Sequence, residues 1–210
     1  MPTYIEVIDP ILARVEGCPR AVAVEALREA CMEFCTRTRV LTTGTQVTLT
    51  GAEVPAFDLD TQVVDICEAK ITDKDLLVTY LNDPDAEADT LADAGYDYAL
   101  RFTDPNNAEL TTADGQAEPS VDAPIVLEML LVIAPGPTST EIHEDLWRRY
   151  SEQLKHGALS RLYAEIGQPW ANPAGATYRL GKFEAAITTA AAEAGRNRIQ
   201  PARRLRVRPA

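Results

Sequence analysis

The chain has 210 residues and a formal net charge of −12, from 20 basic and 32 acidic residues. Its content of 46% hydrophobic and 25% charged residues suits a folded domain rather than a disordered polymer. The longest apolar run, Ile125 to Ala134, is about ten residues, half of the roughly twenty that cross a bilayer. The first residues lack the basic and apolar regions of a signal peptide, so we expect a protein that is made and assembled in a cytoplasm.

Two helices are predicted near the start of the chain. Asp9 and Pro10 favour the beginning of a short helix that Gly17 ends. Pro19 opens a longer helix that runs to about Thr38, with a buried stripe at Val24, Leu27, Cys31 and Phe34. The four cysteines have no histidine or C-x-x-C partner nearby. We therefore interpret them as reduced, buried structural thiols: Cys18, Cys31, Cys35 and Cys67.

The hydrophobic period changes near Val40 to the alternation that is typical of β-strands. Five segments between turn residues are strand candidates, at 46–50, 63–71, 76–81, 96–102 and 125–134. We predict five or six antiparallel strands in an insertion over residues 40–136. The most apolar candidate, 125–134, is expected to be the most buried.

The loops of this insertion are strongly acidic. Between Thr72 and Asp122 thirteen acidic residues face only Lys74 and Arg101. Two interpretations stay open, a solubilising surface and a negative surface of an assembly, while the spacing of a calcium-binding loop is missing. The thirteen residues are Asp73, Asp75, Asp83, Asp85, Glu87, Asp89, Asp93, Asp97, Asp104, Glu109, Asp114, Glu118 and Asp122.

A helical hairpin is predicted over residues 137–195. Thr138 and Glu141 have the spacing of a capping box ahead of a long helix that Gly167 ends. The stripe of this helix comprises Ile142, Leu146, Tyr150, Leu154, Ala158, Leu162 and Ile166, widened by Trp147, Leu159 and Tyr163. The second helix is predicted to run to Gly195, with a stripe at Tyr178, Leu180, Phe183, Ile187 and Ala190.

The turn between these helices is short, which makes them antiparallel. Asn172 and Pro173 supply the N-cap and the first position of the second helix. We expect Pro169 and Trp170 to close the end of the hairpin, with the indole N–H of Trp170 donating to a backbone carbonyl.

The last fifteen residues form a basic tail. No acidic residue follows Glu193, and without the six arginines of the tail 14 basic residues face 32 acidic ones, a charge of −18. Pro201 is expected to exclude a continuous helix, and residues 204–208 alternate charged and apolar side chains as a strand does. We predict an extended docking tail that adds to the sheet edge of a partner or a neighbouring subunit. Its predicted contact residues are Arg196, Arg198, Arg203, Arg204, Leu205, Arg206, Val207 and Arg208.

No catalytic pattern is recognisable. His143 and His156 stand thirteen residues apart on one predicted helix, face nearly opposite directions and cannot share a metal within one subunit. Walker, GxGxxG and GxSxG motifs are missing. We therefore predict neither an enzyme nor a bound cofactor. A DNA-binding or packaging accessory protein that holds phosphate with its arginine tail is the alternative function.

Three groups of segments carry a resemblance. They are Gly17-Cys-Pro19 with 25–40, the passage 130–135 with Glu144-Asp-Leu-Trp147, and 152–162 with Gly167-Gln-Pro-Trp-Ala-Asn-Pro173. These segments resemble the head-to-tail adaptor proteins of tailed bacteriophages, the connector family akin to podophage tail tubular protein A. The segments 83–95 and 106–122 depart from the family's pattern.

The resemblance implies a structural protein of the virion, assembled in the host cytoplasm. Such adaptors form a homo-oligomeric ring, usually a dodecamer, beneath the portal protein. The ring extends the DNA ejection channel and gives a downstream tail or nozzle protein its docking surface. Double-stranded DNA passes through without sequence recognition, and no membrane is involved.

The predicted fold is α+β. N-terminal helices at 1–39 and a long C-terminal hairpin at 137–195 form a helical bundle, an antiparallel β-sheet domain is inserted at 40–136, and an extended basic tail follows at 196–210.

Overall fold

The computed structural model describes residues 1–49, 56–58, 63–71, 76–81, 98–104, 107–112 and 125–202. The fold is α+β, built from helices and a mostly antiparallel sheet, which confirms the predicted class. Two compact units make up the chain: unit 1 is Met1–Leu41 with Ala134–Ala210, and unit 2 is Thr42–Ile133. Unit 1 is therefore discontinuous in sequence. Across the described ranges, no helix combines the length and the apolar character needed to cross a membrane.

The described part of unit 1 contains five helices. They are α1 (Tyr4–Val7), α2 (Asp9–Leu12), α3 (Arg20–Thr38), α4 (Glu144–Ala164) and α5 (Pro173–Ala202). The three long helices contact one another. The ring of Phe34 on α3 lies 4.8 Å from that of Tyr150 on α4 and 6.0 Å from that of Phe183 on α5, between centroids. The core of unit 1 is therefore shared by all three helices.

Most of the predicted helical stripes are buried. On α3, Leu27, Cys31 and Phe34 are fully buried while Val24 is half-buried. The buried residues of the next two stripes are Ile142, Leu146, Leu154, Ala158, Leu159, Leu162, Phe183, Ile187 and Ala190. Placing Ile166, Tyr178 and Leu180 in these stripes is wrong, because all three side chains are exposed. Ile166 follows the end of α4, and Tyr178 lies five positions before Phe183, about 140° away around the helix.

The capping box predicted at Thr138 and Glu141 is also wrong. Glu141 forms an antiparallel bridge with Thr3, so this segment is extended and α4 begins only at Glu144. The chain start holds the capping box instead. The Thr3 N–H donates to Glu6 Oε2 at 2.8 Å, and the Glu6 N–H donates to Thr3 Oγ1 at 3.3 Å. The T-x-x-E spacing at Thr3 is the sequence signal that identifies α1.

Helix α5 continues past Gly195 to Ala202, so the predicted helix end and the extended conformation from Arg196 onward are wrong over residues 196–202. One glycine costs a helix only about 1 kcal/mol, which does not stop a helix that an alanine-rich segment propagates. Pro201 is the penultimate residue of the helix. Its missing N–H removes one hydrogen bond near the helix end, so the helix stops close to Pro201 but still forms before it. The predicted contact residues 203–208 lie outside the described residues.

Unit 2 contains, in its described part, a seven-stranded sheet with the order β1-β7-β3-β4-β5-β6-β2. The strands are β1 (Thr42–Leu49), β2 (Ala56–Asp58), β3 (Val63–Ile71), β4 (Leu76–Leu81), β5 (Tyr98–Asp104), β6 (Asn107–Thr112) and β7 (Ile125–Ile133). β7 lies between β1 and β3, and its Leu127 and Val132 are fully buried.

The expectation of five or six strands, all antiparallel, is wrong in two respects. Strands β2 and β6 are additional, and β4 pairs with β5 in parallel. A parallel pair needs a crossover of a dozen or more residues, and residues 82–97 are long enough to supply one. Of the thirteen acidic residues noted above, all but Asp104 and Glu109 lie outside the described residues.

The four cysteines are reduced thiols in two environments. Cys31 and Cys35 are fully buried on α3, and burial raises the pKa of Cys31 to about 12 and that of Cys35 further above its usual range. Cys18 and Cys67 are only half-buried, so the prediction of buried thiols is wrong for these two. The thiolate is the reactive form, so a raised pKa and burial both slow modification.

We expect Ellman's reagent at about pH 8 to modify Cys18 and Cys67 in the native protein, and Cys31 and Cys35 only after denaturation. Mass spectrometry of trapped samples would assign each site. Rapid modification of all four thiols without denaturant would contradict the burial of the α3 face.

Candidate functional site

The turn between α4 and α5 is fixed by hydrogen bonds at both ends. The Asn172 N–H donates to the Tyr163 carbonyl at 2.9 Å, and Asn172 Oδ1 accepts from the Gly175 N–H at 2.9 Å. Pro173 occupies the first position of α5. Gly167, after the end of α4, has a φ of 87°, a left-handed conformation that favours glycine. The turn is therefore attached firmly to both helices.

Trp170 is half-buried at this turn, and its Nε1–H is shielded from solvent. No acceptor for this N–H lies among the described residues, so the expected hydrogen bond to a backbone carbonyl is wrong. A buried donor without a partner costs about 1–3 kcal/mol. Pro169 is exposed beside it. The turn is therefore held by its backbone and by Asn172 rather than by the indole N–H.

A groove of about 560 Å³ lies beside this turn, and we call it the hairpin groove. Its lining is mainly aliphatic, with Ala164, Ile166, Pro173, Ala176 and Leu180, and its polar part consists of Glu33, Ser160, Arg161 and Thr177. Ile166 is 94% exposed and Leu180 is 47% exposed. Two large aliphatic side chains of the groove are therefore in water in the isolated chain.

Ion pairs border the polar part of the hairpin groove. Arg161 on α4 pairs with Glu33 on α3, and its Nε lies 3.5 Å from Glu29 Oε2. Arg37 on α3 lies 2.7 Å from Glu33 Oε1 and 2.5 Å from Glu184 Oε2 on α5. Partly exposed pairs contribute about 0–1 kcal/mol each. Their main effect is to fix how the three long helices align beside the groove.

Two of the basic residues predicted as partner contacts, Arg196 and Arg198, belong to the described part of the chain and lie elsewhere. Arg196 is exposed on α5, and its Nε donates to the Ala192 carbonyl at 3.2 Å. Arg198 belongs to the same helix. Arg196 stands 23 residues beyond Pro173, which is about 35 Å along a helix that rises about 1.5 Å per residue. The turn and the part of α5 that carries Arg196 and Arg198 are therefore separate surfaces.

The two histidines are also separate. His143 is the N-cap residue of α4, and His156 lies on α4 with its Nδ1 3.1 Å from Nη1 of Arg179. In the part of the chain that the structure describes, no group of three His, Cys, Asp or Glu residues could hold a metal ion.

Unit 2 has a polar row across three strands. Glu128 on β7 stands opposite Gln46 on β1 and Lys70 on β3. Gln46 Nε2 donates to Glu128 Oε1 at 2.7 Å, and Lys70 Nζ lies 3.0 Å from Glu128 Oε2. Opposite charges and hydrogen bonds between directly facing residues stabilise a sheet. This row is therefore a cross-strand stabilising contact.

Sequence reasoning missed the hairpin groove because it assigned Ile166 to the buried stripe. The helix ends at Ala164, three residues before the left-handed Gly167, so Ile166 has no helical position. No family model and no curated protein sequence matches this chain.

Proposed function

We propose that this chain is a structural virion protein, a head-to-tail adaptor whose copies form a ring beneath a portal protein and extend its DNA channel. The observation that carries the proposal is the hairpin groove with its 94% exposed Ile166. Burying an aliphatic side chain of this size contributes about 1.5–3 kcal/mol of stabilisation, and the isolated chain does not gain it. A surface of this kind favours a protein contact over a purely solvated role.

The occupant that we propose for the hairpin groove is a second copy of the chain. In a ring, one surface of each subunit contacts a different surface of the next, and the contacts close when the rotation permits. The groove combines Ile166 and Leu180 with the ion pair of Arg161 and Glu33 beside them. An apolar centre with a polar edge is the usual arrangement of a specific protein interface.

The finer features of an adaptor belong to the same proposal. The three long helices of unit 1 would be the helical bundle, and residues 203–210, with four of the six terminal arginines, would be the docking tail for the portal. The acidic residues between Thr72 and Asp122 would give DNA a surface without cations to hold it. Alternatively, these acidic residues would lie on the rim that faces a downstream tail or nozzle protein. The proposal involves no catalysis, no cofactor and no membrane.

We expect rings when the purified chain is mixed with its candidate portal protein. Negative-stain electron microscopy and mass photometry would detect them. Ile166→Asp should remain folded, since exposed positions change stability by no more than about 0.5 kcal/mol, but should fail to form rings. Arg148→Ala, an exposed change on α4, is the control that should assemble normally.

If Ile166→Asp formed rings at the same protein concentrations as the wild-type chain, the hairpin groove would not be part of the interface. A wild-type chain that stays monomeric with its portal would contradict the adaptor proposal itself.

Removal of residues 203–210 keeps all of α5 and should give a folded subunit that no longer joins the portal. A basic segment of this kind stabilises a complex only where its arginines meet carboxylates. Biolayer interferometry against immobilised portal would measure the loss. Unchanged portal binding would contradict the docking role, and loss of duplex-DNA binding alone would favour the DNA-binding accessory function.

A further inference from the structure

A small basic pocket lies in unit 1, and its lining shares no residue with that of the hairpin groove. Its volume is about 150 Å³, and its charged lining comprises Arg14, Glu152, Lys155 and Arg179, with His156 beside them. Three cations and one carboxylate give this lining a charge of +2, in a chain whose net charge is −12. The residues come from the segment after α2, from α4 and from α5. The fold therefore concentrates positive charge from three distant parts of an acidic sequence.

The pairing within this basic pocket leaves donors unused. Glu152 Oε1 lies 2.7 Å from Lys155 Nζ, so the one carboxylate is already engaged. Among the described residues, no carboxylate lies within ion-pairing distance of Arg14 or Arg179, although the charge of Arg14 acts on Glu152. Arg179 Nη1 lies 3.1 Å from His156 Nδ1. A guanidinium group can only donate, so Nδ1 accepts and the proton of the neutral ring lies on Nε2.

The surroundings of His156 keep its imidazole uncharged at neutral pH. Burial lowers the pKa of His156, and the positive charges of Arg179, Arg14 and Lys182 lower it further, while Glu152 acts in the opposite direction. Lys155 also lines the pocket. The positive potential therefore comes from the guanidinium and ammonium groups, and His156 reports on it because its pKa responds to each charge nearby.

We propose that this basic pocket binds a phosphoryl oxyanion, either free phosphate or a phosphate group of a nucleic acid. A dianion matches the charge of +2, and guanidinium groups bind tetrahedral oxyanions through paired N–H donors. The volume of about 150 Å³ is below the roughly 300–1,000 Å³ of pockets that enclose whole small molecules, so it suits a single phosphoryl group. This inference does not depend on the adaptor function.

Inorganic phosphate is the first probe. The side-chain resonances of His156 should move saturably during a phosphate titration at constant ionic strength, with a dissociation constant on the order of 1 mM. His143, the other histidine of the chain, supplies an internal reference. A His156 signal that does not saturate, or that moves together with the His143 signal, would overturn the proposal.

Two substitutions should act in opposite directions. Arg179→Ala removes one of the two guanidinium groups of the pocket and should weaken phosphate binding by roughly tenfold. Glu152→Gln removes the only carboxylate of the pocket and should tighten it. Arg148→Ala removes one positive charge from an exposed site on the same helix and should leave binding unchanged. Equal effects of Arg179→Ala and Arg148→Ala would indicate general charge attraction and contradict a built pocket.

Sulfate stays a dianion across the pH range in which His156 titrates. A pH dependence of sulfate binding therefore reports protonation of the protein and not of the ligand. A bound dianion should raise the pKa of His156, so sulfate binding should strengthen as the pH falls through that raised pKa. Blunt duplex DNA with and without 5′-phosphates distinguishes the sources. Competition with phosphate by both duplexes would assign the pocket to the nucleic-acid backbone, and competition by neither would assign it to free phosphate. A His156 pKa that sulfate leaves unchanged would contradict the proposal.

Discussion

Replacing Leu154 with aspartate is expected to abolish the folded state of unit 1. Leu154 is fully buried on α4. Losing its burial costs about 2–3 kcal/mol, and an unpaired buried carboxylate adds at least several kcal/mol more. Domains of this size are stable by only about 5–15 kcal/mol. Far-UV circular dichroism should show loss of helix, and the cooperative thermal transition should disappear. Leu162→Asp, at another fully buried position of α4, should behave in the same way.

Ile166→Asp is the matched control, because it makes the same chemical change twelve residues farther along at a side chain that is 94% exposed. Its Tm should stay near the wild-type value. If Leu154→Asp also melted cooperatively near the wild-type temperature, the apolar face of α4 would not be part of the core.

Replacing Gly157 with valine should destabilise the protein by roughly 3 kcal/mol. An added Cβ at Gly157 would lie 2.8 Å from Phe183 Cε2 and 2.9 Å from Ala30 Cβ. Gly157 therefore stands where α4 meets both α3 and α5, and Ala30 cannot move away without moving its helix. Denaturant unfolding monitored by circular dichroism would measure the change in the free energy of unfolding.

The control for this packing argument is Gly181→Val on α5. A Cβ at Gly181 meets no atom within 4 Å, and the residue is exposed. We expect a change of no more than about 0.5 kcal/mol. Equal stability of the two variants would mean that the helices can separate at Gly157 without cost.

Local chemistry predicted much of the helical layout. Asp9 and Pro10 mark α2, Pro19 precedes α3, and Pro173 begins α5, because caps and fixed proline dihedrals act within one helical turn. The same rules failed where long-range pairing took precedence. Glu141 joins a bridge to Thr3, a residue 138 positions earlier, and that pairing overrides its local capping signal. The parallel pairing of β4 with β5 likewise depends on distant residues rather than on strand period.

The candidate surfaces were harder to predict than the core. Ile166 continues the four-residue spacing of α4 in sequence, and only the helix end at Ala164 places it in water. The basic pocket joins Arg14 to His156 and Arg179, which no local pattern connects. The arginine tail is evident from composition, but its conformation is not. Arg196 and Arg198 belong to α5, because Gly195 alone did not end that helix.

The discontinuity of unit 1 has a consequence for the order of synthesis. Phe34 reaches its ring partner Tyr150 only after another 116 residues have been translated. At about 5–20 residues per second, the face of α3 that packs against α4 waits roughly 6–23 seconds on the ribosome without its partner. Unit 2 is continuous, so all of its residues emerge before α4 does. A nascent chain stalled before Ala134 should therefore bind chaperones through α3, and one released after α5 should not.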